Sequence, residues 1–449
     1  MQQSSHSTKL SRRQFLGLAS AALAFPYVVP ASALGRDGKP APSARIALGA
    51  VGCGNMGTGN INSFLALKDC QLVAACDVDR KHLNALARKV NDHYQDKGCK
   101  AYHDYRELMA RPEIDAVMIA TPDHWHALAA VEAARQKKDI YGEKPLARTI
   151  AEQQAIVRAV QDNHRIWQTG SWQRSVATFH KAAEIVRNGM IGKVTRVEVG
   201  LPDGQGNKRT QAPEDMLPST PPPELDYDTW IGPSKLLPYI KGRVHREWRW
   251  NYNTGGGQLM DWVGHHCDIA HWGCDFDNSG PFELEGKGDF PPVDAVWNTC
   301  TKYRIELKYP RDITMIIAGG YPDIRSGTKW IGTEGWVWVN RGAFEASNED
   351  WRDYRQLPEE LRKVKLPIST NHHANFLESV KSRQPTITPV ETAHHSAIPG
   401  HLGLISMLVG RKIRWDAQKE IIVGDAEASK LLGRPYRVPW KLAGYSTTA

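Results

Sequence analysis

The amino-acid sequence predicts two domains of different architecture, at residues 45–170 and 171–449. The first is a doubly wound α/β domain, and the second is an α+β domain with a large, mainly antiparallel open sheet. Short apolar runs alternate with helix-like segments in the first part, as in a buried parallel sheet. The first run leads directly into a glycine-rich loop at residues 52–57. Later runs, such as residues 303–308, instead resemble antiparallel strands.

A leader and a short arm are expected ahead of these domains, at residues 1–33 and 34–44. The pair Arg12-Arg13 precedes a weakly apolar stretch that reaches about Val29, and an Ala31-Ser32-Ala33 cleavage motif follows. This order is typical of a twin-arginine export signal, which carries folded proteins. The sequence therefore predicts a periplasmic or otherwise exported protein that can carry out a cofactor loaded in the cytoplasm.

The composition argues against several classes of protein. Of the 449 residues, 41% are apolar and 24% are charged, which is ordinary for a globular protein. The net charge of +8 is scattered, without the basic runs of a nucleic-acid-binding face. No apolar run reaches the length of about eighteen residues that predicts a transmembrane helix. The seven cysteines are odd in number and form no CxxC pair, which argues against a disulfide framework or a structural metal site.

The glycine-rich loop follows a strand-like apolar run and has the pattern Gly-x-Gly-x-x-Gly. Gly52 permits the tight turn, Gly54 lets the backbone approach a pyrophosphate, and Gly57 allows a helix to pack closely on the strand. The N-terminus of that helix, expected over residues 60–67, attracts phosphate groups. The predicted cofactor-binding residues of the loop are Gly52, Gly54, Asn55, Met56 and Gly57.

Asp77 ends the second apolar run, twenty residues after Gly57. A carboxylate at this position accepts hydrogen bonds from the adenosine ribose and repels a 2′-phosphate, so NAD is favoured over NADP. Arg80 lies three residues further on and could pair with a 2′-phosphate, so NADP stays an alternative cofactor. An alternative role for Asp77 is to cap the helix that starts near Arg80.

Two further strands are expected to end at the same edge of the parallel sheet. Residues 115–120 lead into Thr121-Pro122, and residues 139–142 lead into Glu143-Lys144. Ligands of doubly wound sheets bind at the carboxyl ends of the strands. Topology alone therefore places Thr121, Pro122, Glu143 and Lys144 at the cofactor crevice.

In the second half, candidate catalytic side chains are most concentrated at residues 255–268, where three glycines precede a predicted helix. Asp261, His265 and Asp268 would share one stripe of that helix, and a carboxylate one turn from an imidazole raises its basicity. His266 is a rival for the same role. A metal site built from His265, His266, Cys267, Asp268 and His271 is less consistent, because adjacent helical side chains point about 100° apart. The tryptophans, including Trp172, Trp248, Trp250 and Trp262, could belong to the core, or they could stack on sugar rings in a carbohydrate pocket.

Taken together, these motifs resemble the Gfo/Idh/MocA family of glucose–fructose oxidoreductases and inositol dehydrogenases. The resemblance covers the glycine-rich loop, Thr121-Pro122 with His126, Glu143-Lys144-Pro145, Asp261-x-x-x-His265 and residues 331–335. It implies a Rossmann domain that binds NAD, with His126 among the cofactor-binding residues. It also implies a homo-oligomer, formed through the open sheet of the second domain.

The resemblance further implies roles for three catalytic residues. Lys144 would hydrogen-bond the reacting hydroxyl, His265 would exchange its proton, and Asp261 would contact the substrate or orient the site. We expect hydride transfer from a secondary hydroxyl of a sugar, glycoside or cyclic polyol, with a retained cofactor and no metal. One alternative is an NAD-dependent glycoside hydrolase or lyase that oxidises its substrate transiently. Another is a non-catalytic protein that binds a dinucleotide or a sugar.

Overall fold

A computed structural model describes residues 44–204 and 211–445 of the chain. The predicted export signal at residues 1–33 lies outside the described residues, as does the predicted arm except for its last residue. Within the described ranges, no helix is both long and apolar enough to cross a membrane.

Strands and helices alternate through the first 125 or so described residues. The elements are β1 Ile46–Val51, α1 Asn55–Leu65, β2 Cys70–Cys76, α2 Arg80–Tyr94, β3 Lys100–Tyr102, α3 Tyr105–Met109, β4 Ala116–Ile119, α4 Asp123–Arg135, β5 Asp139–Gly142, α5 Ile150–Asp162 and β6 Trp167–Thr169.

The six strands form one sheet in the order β3-β2-β1-β4-β5-β6, and every neighbouring pair is parallel. Strand order reverses between β1 and β4, and a crevice opens there at the carboxyl ends of the strands. Every residue of β4 and β5 is buried, because helices cover both faces of the sheet. Ile61 and Phe64 of α1 pack on one face, and Leu128 of α4 packs on the other. The predicted doubly wound domain is confirmed.

The second half contains a larger sheet and several helices. Its elements are α6 Ala177–Arg187, β7 Val194–Leu201, α7 Tyr227–Ile231, α8 Gly257–Cys274, β8 Glu283–Asp289, β9 Lys302–Tyr309, β10 Ile313–Gly319, β11 Gly327–Gly332, β12 Trp336–Asn340, β13 Ala343–Ala346, α9 His372–Ser382, α10 Val390–Val409, β14 Ile413–Asp416, β15 Ile421–Ile422 and α11 Ala426–Ser429. Short 3₁₀ turns connect several of them, including one at His245–Trp250.

The nine strands are ordered β13-β12-β11-β7-β10-β9-β8-β14-β15. Among these described strands only β7 and β10 pair in parallel, so the predicted mainly antiparallel sheet is confirmed. Helix α8 packs against this sheet and against α6 and α10. Gly273 permits its close approach, because a Cβ there would lie 2.7 Å from the Trp330 indole.

The two halves are less separate than a division at residue 170 suggests. Phe376 and Leu377 of α9 complete the apolar cluster around α1 and α2. Leu442 packs in the cluster on the opposite face of the parallel sheet. The N–H of Thr169 also donates to the Thr388 carbonyl at 3.0 Å. The C-terminal half therefore returns to support the sheet that carries the glycine-rich loop.

Candidate active site

A cleft of about 1020 Å³ runs from the glycine-rich loop to helix α8. Its floor is formed by the carboxyl ends of β1, β2, β4 and β5, and its other wall by residues that precede and open α8. The predicted site residues that line the cleft are Gly52, Gly54, Asn55, Met56, Asp77, Thr121, Pro122, Glu143, Lys144 and Asp261. Gly57, His126 and His265 are not among the lining residues.

The three glycines of the loop occupy different environments. Gly52 has φ +91°, and a Cβ there would lie 2.6 Å from the Ala120 carbonyl oxygen. A Cβ on Gly57 would lie 1.9 Å from the Gly52 carbonyl oxygen, so Gly57 serves packing. A Cβ on Gly54 would meet nothing within 4 Å, since this glycine faces open space. No side chain caps the N-terminus of α1, which leaves its N–H groups for a phosphate. The loop therefore fits a dinucleotide pyrophosphate.

The Asp77 carboxylate is fixed by the backbone around it. Its Oδ2 accepts a hydrogen bond from Cys53 N at 2.7 Å, and its Oδ1 accepts one from Asp79 N at 2.8 Å. Burial raises the pKa of Asp77, while these two N–H groups oppose the rise. The alternative that Asp77 caps α2 is wrong, because Asp79 accepts from Lys81 N at 2.8 Å and is the cap. Asp77 does not cap the helix and lines the cleft.

A segment of the C-terminal half, residues 222–250, crosses the cleft beside Asp77, and we call it the strap. Its backbone pairs with the start of α2: Arg80 N donates to Glu224 O at 3.0 Å, and Asp226 N donates to Val78 O at 3.1 Å. The indole of Trp125 donates to Trp230 O at 2.9 Å. Eight strap residues line the cleft: Asp226, Thr229, Trp230, His245, Arg246, Trp248, Arg249 and Trp250. The strap therefore forms a roof over the end of the cleft that contains Asp77.

Lys144 and Asp261 meet at the opposite end of the cleft. The Lys144 Nζ donates to the carbonyl oxygen of Asp261 at 2.8 Å and to its Oδ1 at 2.9 Å. Arg249, from the strap, donates through Nε to the same Oδ1 at 2.9 Å. Burial by itself raises the pKa of the Asp261 carboxyl, but Lys144 and Arg249 together lower it below its usual range. At this end of the cleft, the Asp261 carboxylate is therefore bound by two cations, Lys144 and Arg249.

Glu143 is buried behind Lys144. Its Oε1 accepts a hydrogen bond from Asn60 Nδ2 of α1 at 2.9 Å. Its Oε2 accepts one from Lys144 N at 3.3 Å. Burial raises the pKa of Glu143, and the adjacent Lys144 cation opposes the rise. Glu143 therefore joins α1 to the strand end that positions Lys144.

His126 is not among the residues that line the cleft, and its contact with a cofactor stays a prediction. Its Nδ1 lies 2.8 Å from Pro145 O, and its Nε2 lies 2.9 Å from Thr121 O. The imidazole thus joins the two strand ends that carry Thr121-Pro122 and Lys144-Pro145. We assign it a positioning role.

His265 stands one helical turn after Asp261 on α8, and its ring contacts two indoles. The ring centroid lies 5.7 Å from that of Trp262 and 6.3 Å from that of Trp172. Its Nδ1 is buried without a hydrogen-bond partner among the described residues. Burial, followed by the Lys144 and Arg341 cations, lowers the pKa of His265. Asp261 does raise the pKa of His265, as expected, but burial and the nearby cations outweigh it.

Three other polar residues of α8, His266, Asp268 and His271, do not line the cleft. The Asp268 carboxylate accepts three hydrogen bonds from Arg174, at 3.1 Å, 2.9 Å and 2.8 Å, and does not line the cleft. His271 Nε2 lies 2.8 Å from the Tyr309 hydroxyl. His266 stacks on Trp262, and burial lowers its pKa to about 3. Within the described ranges these side chains diverge, so they do not form the metal site considered from the sequence.

Two cleft residues escaped the sequence analysis. Asp123, the first residue of α4, is buried with an unpartnered Oδ1, and burial raises its pKa to about 8. The sequence did contain an indication of this residue, because Asp123 directly follows Thr121-Pro122 at the end of a predicted strand. Arg249 gave no comparable signal, because nothing near it in sequence indicates that it reaches Asp261.

The parallel sheet, the open Gly54 position and the polar cluster at the far end of the cleft define a dinucleotide-binding oxidoreductase. The chain belongs to the Gfo/Idh/MocA oxidoreductase family. A family model described as "Oxidoreductase family, NAD-binding Rossmann fold" matches residues 46–171. A second, described as "Oxidoreductase family, C-terminal alpha/beta domain", matches residues 175–442. The predicted resemblance is confirmed.

Curated relatives match parts of the chain. A myo-inositol 2-dehydrogenase of Thermotoga maritima is 30% identical over 146 residues, which cover 32% of this chain and 42% of that protein. A glycosyl hydrolase family 109 protein of Solibacter usitatus is 34% identical over 173 residues, covering 35% of this chain and 38% of that protein. The matched portion spans less than half the length of each of these two relatives.

Solved structures match almost over their full length. The WlbA dehydrogenase from Bordetella pertussis, in complex with NADH and UDP-GlcNAcA, superposes with a TM-score of 0.61 and 17% identity, covering 83% of this chain and 99% of that chain. An aldose-aldose oxidoreductase from Caulobacter crescentus, complexed with glycerol, gives 0.59 and 17%, covering 82% and 99%. At such identities the likeness establishes the fold.

Proposed function

We propose that the protein is an NAD-dependent oxidoreductase that takes a hydride from a secondary hydroxyl of a sugar, glycoside or cyclic polyol. The observation that supports this most directly is the Lys144–Asp261–Arg249 cluster at one end of a cleft whose other end holds Asp77. Cofactor and substrate would then meet near Lys144.

The residues present fit NAD. The loop from Gly52 to Met56 would hold the pyrophosphate at the open position of Gly54, and Asp77 would receive the ribose hydroxyls. When bound, the nicotinamide supplies the chemistry by accepting or returning a hydride. Arg80, which could otherwise bind the 2′-phosphate of NADP, is engaged elsewhere, since its Nη2 donates to Pro223 O at 2.6 Å. That contact and the Asp77 carboxylate support NAD over NADP.

Lys144 is suited to stabilise the oxygen that loses its proton. Its ammonium has three donors, of which the Asp261 carbonyl and carboxylate occupy two. The third donor can reach a substrate hydroxyl in the cleft. Because Lys144 is buried, its positive charge strongly favours the developing alkoxide. Asp261 holds the ammonium in place, and Arg249 keeps Asp261 ionised.

His265 is our candidate for the proton acceptor. Its depressed pKa keeps the imidazole neutral, and Nδ1 has no competing partner among the described residues. Trp262, which lines the cleft and contacts the His265 ring, limits the access of water. The hydroxyl proton would pass to the His265 imidazole as the hydride leaves.

The strap supports a cofactor that stays bound between turnovers. It roofs the Asp77 end through backbone hydrogen bonds and through the contact of Trp125 with Trp230. The predicted export signal at residues 1–33 points the same way, because an exported enzyme has little free NAD to draw on. Retention favours a redox-neutral cycle, in which the hydride returns to a second substrate or to the same one.

A second candidate is glycoside cleavage by transient oxidation and elimination. The relatives described as glycosyl hydrolase family 109 proteins favour it, as does Asp123, a buried cleft carboxyl that is protonated near neutral pH. A non-catalytic binding protein is less consistent with the intact Lys144–Asp261 pair. We also propose a homo-oligomer formed through the open sheet, to be tested by analytical ultracentrifugation.

The ultraviolet absorbance of the purified, desalted protein tests cofactor retention. A nicotinamide signal is expected to survive desalting, and a protein that gains it only on adding millimolar NAD contradicts retention. Free sugars, polyols and aryl glycosides are then compared, with products and nicotinamide fluorescence followed together. Release of the aryl group without net NADH formation favours cleavage, and accumulation of NADH favours oxidation. The absence of both contradicts the proposed activity.

A further inference from the structure

Three potential metal ligands meet at the rim of the cleft, where the start of α2 faces the strap. The Asp79 Oδ2 lies 3.9 Å from His82 Nδ1 and 3.6 Å from His245 Nε2. The three ligand atoms all lie within 4.8 Å of one another. All three residues line the cleft, and none of them belongs to the Lys144–Asp261 cluster.

These ligand atoms are available. Asp79 caps α2 through Oδ1, with Lys81 N at 2.8 Å, so Oδ2 remains for another partner. Within the described part of the chain, neither imidazole forms a hydrogen bond. The two side chains are 36% and 37% exposed, which leaves them room to rotate.

We propose that Asp79, His82 and His245 bind one divalent zinc ion, which clasps the strap to the N-terminal domain. Two imidazoles, one carboxylate and a water from the cleft form a familiar tetrahedral zinc set. With metal–ligand bonds of about 2.0–2.2 Å, the ligand atoms of such a set lie about 3.4 Å apart. The observed separations of 3.6 Å and 3.9 Å close to this value by small side-chain rotations.

A second group of potential ligands provides an internal comparison. His394 Nδ1 and Nε2 already lie 2.9 Å from Gln153 Oε1 and 2.8 Å from Glu420 Oε1. His395 Nδ1 lies 2.6 Å from Asp277 O. These imidazoles are occupied by protein partners, so a metal would have to displace good hydrogen bonds. The contrast favours the site at the rim.

Zinc binding to the full-length protein, with its cofactor and after treatment with a chelator, tests the proposal. We expect one zinc per chain by calorimetry and elemental analysis, and tetrahedral Co²⁺ bands in the visible spectrum. His82→Gln and His245→Gln should each weaken binding at least about tenfold. Asp79→Asn should do the same while the Asn still caps the helix. His93→Gln, on the same helix, and His395→Gln are matched controls that should bind as the parent does.

Circular dichroism and thermal melting establish that each variant is folded. Should a ligand variant fail to fold, zinc protection of the parent His82 and His245 from diethylpyrocarbonate decides instead. The proposal is overturned if micromolar zinc does not bind the folded parent protein. It is equally overturned if zinc binds His82→Gln and His245→Gln as tightly as the parent, or if His395→Gln abolishes binding.

Discussion

The Nζ of Lys144 lies 2.9 Å from Asp261 Oδ1 and 2.8 Å from the carbonyl oxygen of the same residue. This double contact fixes an ammonium group at the end of a parallel strand against the first turns of a helix from the other half of the chain. Arg249 adds a second cation to the same carboxylate. The Asp261 carboxylate thus holds both the Lys144 ammonium and the Arg249 guanidinium at the cleft.

Replacing Lys144 by Met should remove the group that stabilises the developing alkoxide. We expect kcat to fall by about 10²–10³, the usual loss when one electrostatic donor is removed. Retained nicotinamide, measured by absorbance, should fall much less, because the loop and Asp77 still hold the cofactor. The exposed Lys137, which donates to Asn163, supplies the matched control Lys137→Met. Equal turnover by Lys144→Met and the parent would exclude Lys144 from the chemistry.

The glycine-rich loop offers a pair of substitutions that separates packing from binding. Gly57→Ala places a Cβ 1.9 Å from the Gly52 carbonyl oxygen and should strongly destabilise the fold. Gly54→Ala meets no protein atom within 4 Å, so the melting temperature should hardly change while cofactor content drops. Gly59→Ala, equally open but further along α1, should keep the cofactor and add about 1 kcal/mol of helix stability. Normal cofactor content in Gly54→Ala would show that the pyrophosphate lies elsewhere.

The sequence predicted this loop well because its constraints are local. A tight turn, an open approach and close packing each demand glycine at a fixed spacing. The predicted start of the following helix at residue 60 was late, since helix α1 already begins at Asn55 inside the loop. Helix α5 shows a similarly local constraint, since the Thr149 hydroxyl accepts a hydrogen bond from Glu152 N at 3.3 Å and caps the helix.

The partners of the predicted catalytic side chains could not be read from spacing. Asp261 and His265 lie one turn apart, which suggested that they interact. The carboxylate is instead drawn to Lys144, 117 positions away in sequence, and to Arg249 of the strap. Burial is the largest cause of the depressed His265 pKa, and only the folded chain brings close the Lys144 and Arg341 cations that lower it further.

Asp268 was grouped with Asp261 and His265 from its place on the helix, but it pairs with Arg174 in the core. Both side chains are almost fully buried, at 1% and 3% exposure, and Arg174 also donates to Asp277 at 2.8 Å and 2.7 Å, so its charge keeps one carboxylate when Asp268 is replaced. Asp268→Asn should cost about 1–3 kcal/mol in the free energy of unfolding, measured in urea, because it removes one charged hydrogen-bond partner of a buried group. The folded variant should retain its cofactor and its kcat. A loss of kcat without a loss of stability would return Asp268 to the active site.

Asp123 predicts a pH dependence of stability. Its folded pKa of about 8 lies above the unfolded value of about 3.9, so its contribution to stability is present at acid pH and is lost as pH rises through 8. Asp123→Asn removes this loss. Its melting temperature should equal that of the parent near pH 4 and exceed it by at least about 2 °C at pH 8. The exposed Asp312→Asn is the control, and parallel profiles for Asp123→Asn and the parent would contradict the shift.

Arg341 offers a test of His265 as the proton acceptor. Its guanidinium lies 4.6 Å from the ring centroids of both Trp172 and Trp262, the two indoles that contact His265. Burial is the main cause of the depressed His265 pKa, and the Lys144 and Arg341 cations depress it further.

Arg341→Gln removes one of these cations, so the protonated imidazole becomes less unfavourable and its pKa rises. Because a base must be neutral to accept a proton, the acid limb of kcat/KM should move to higher pH, by about 0.5–1 unit for a partly screened charge. Arg304→Gln removes a cation that is paired with Asp323 on the large sheet, and its limb should stay in place. If the limb of Arg341→Gln also stays in place while the NMR titration of His265 shifts, another group accepts the proton.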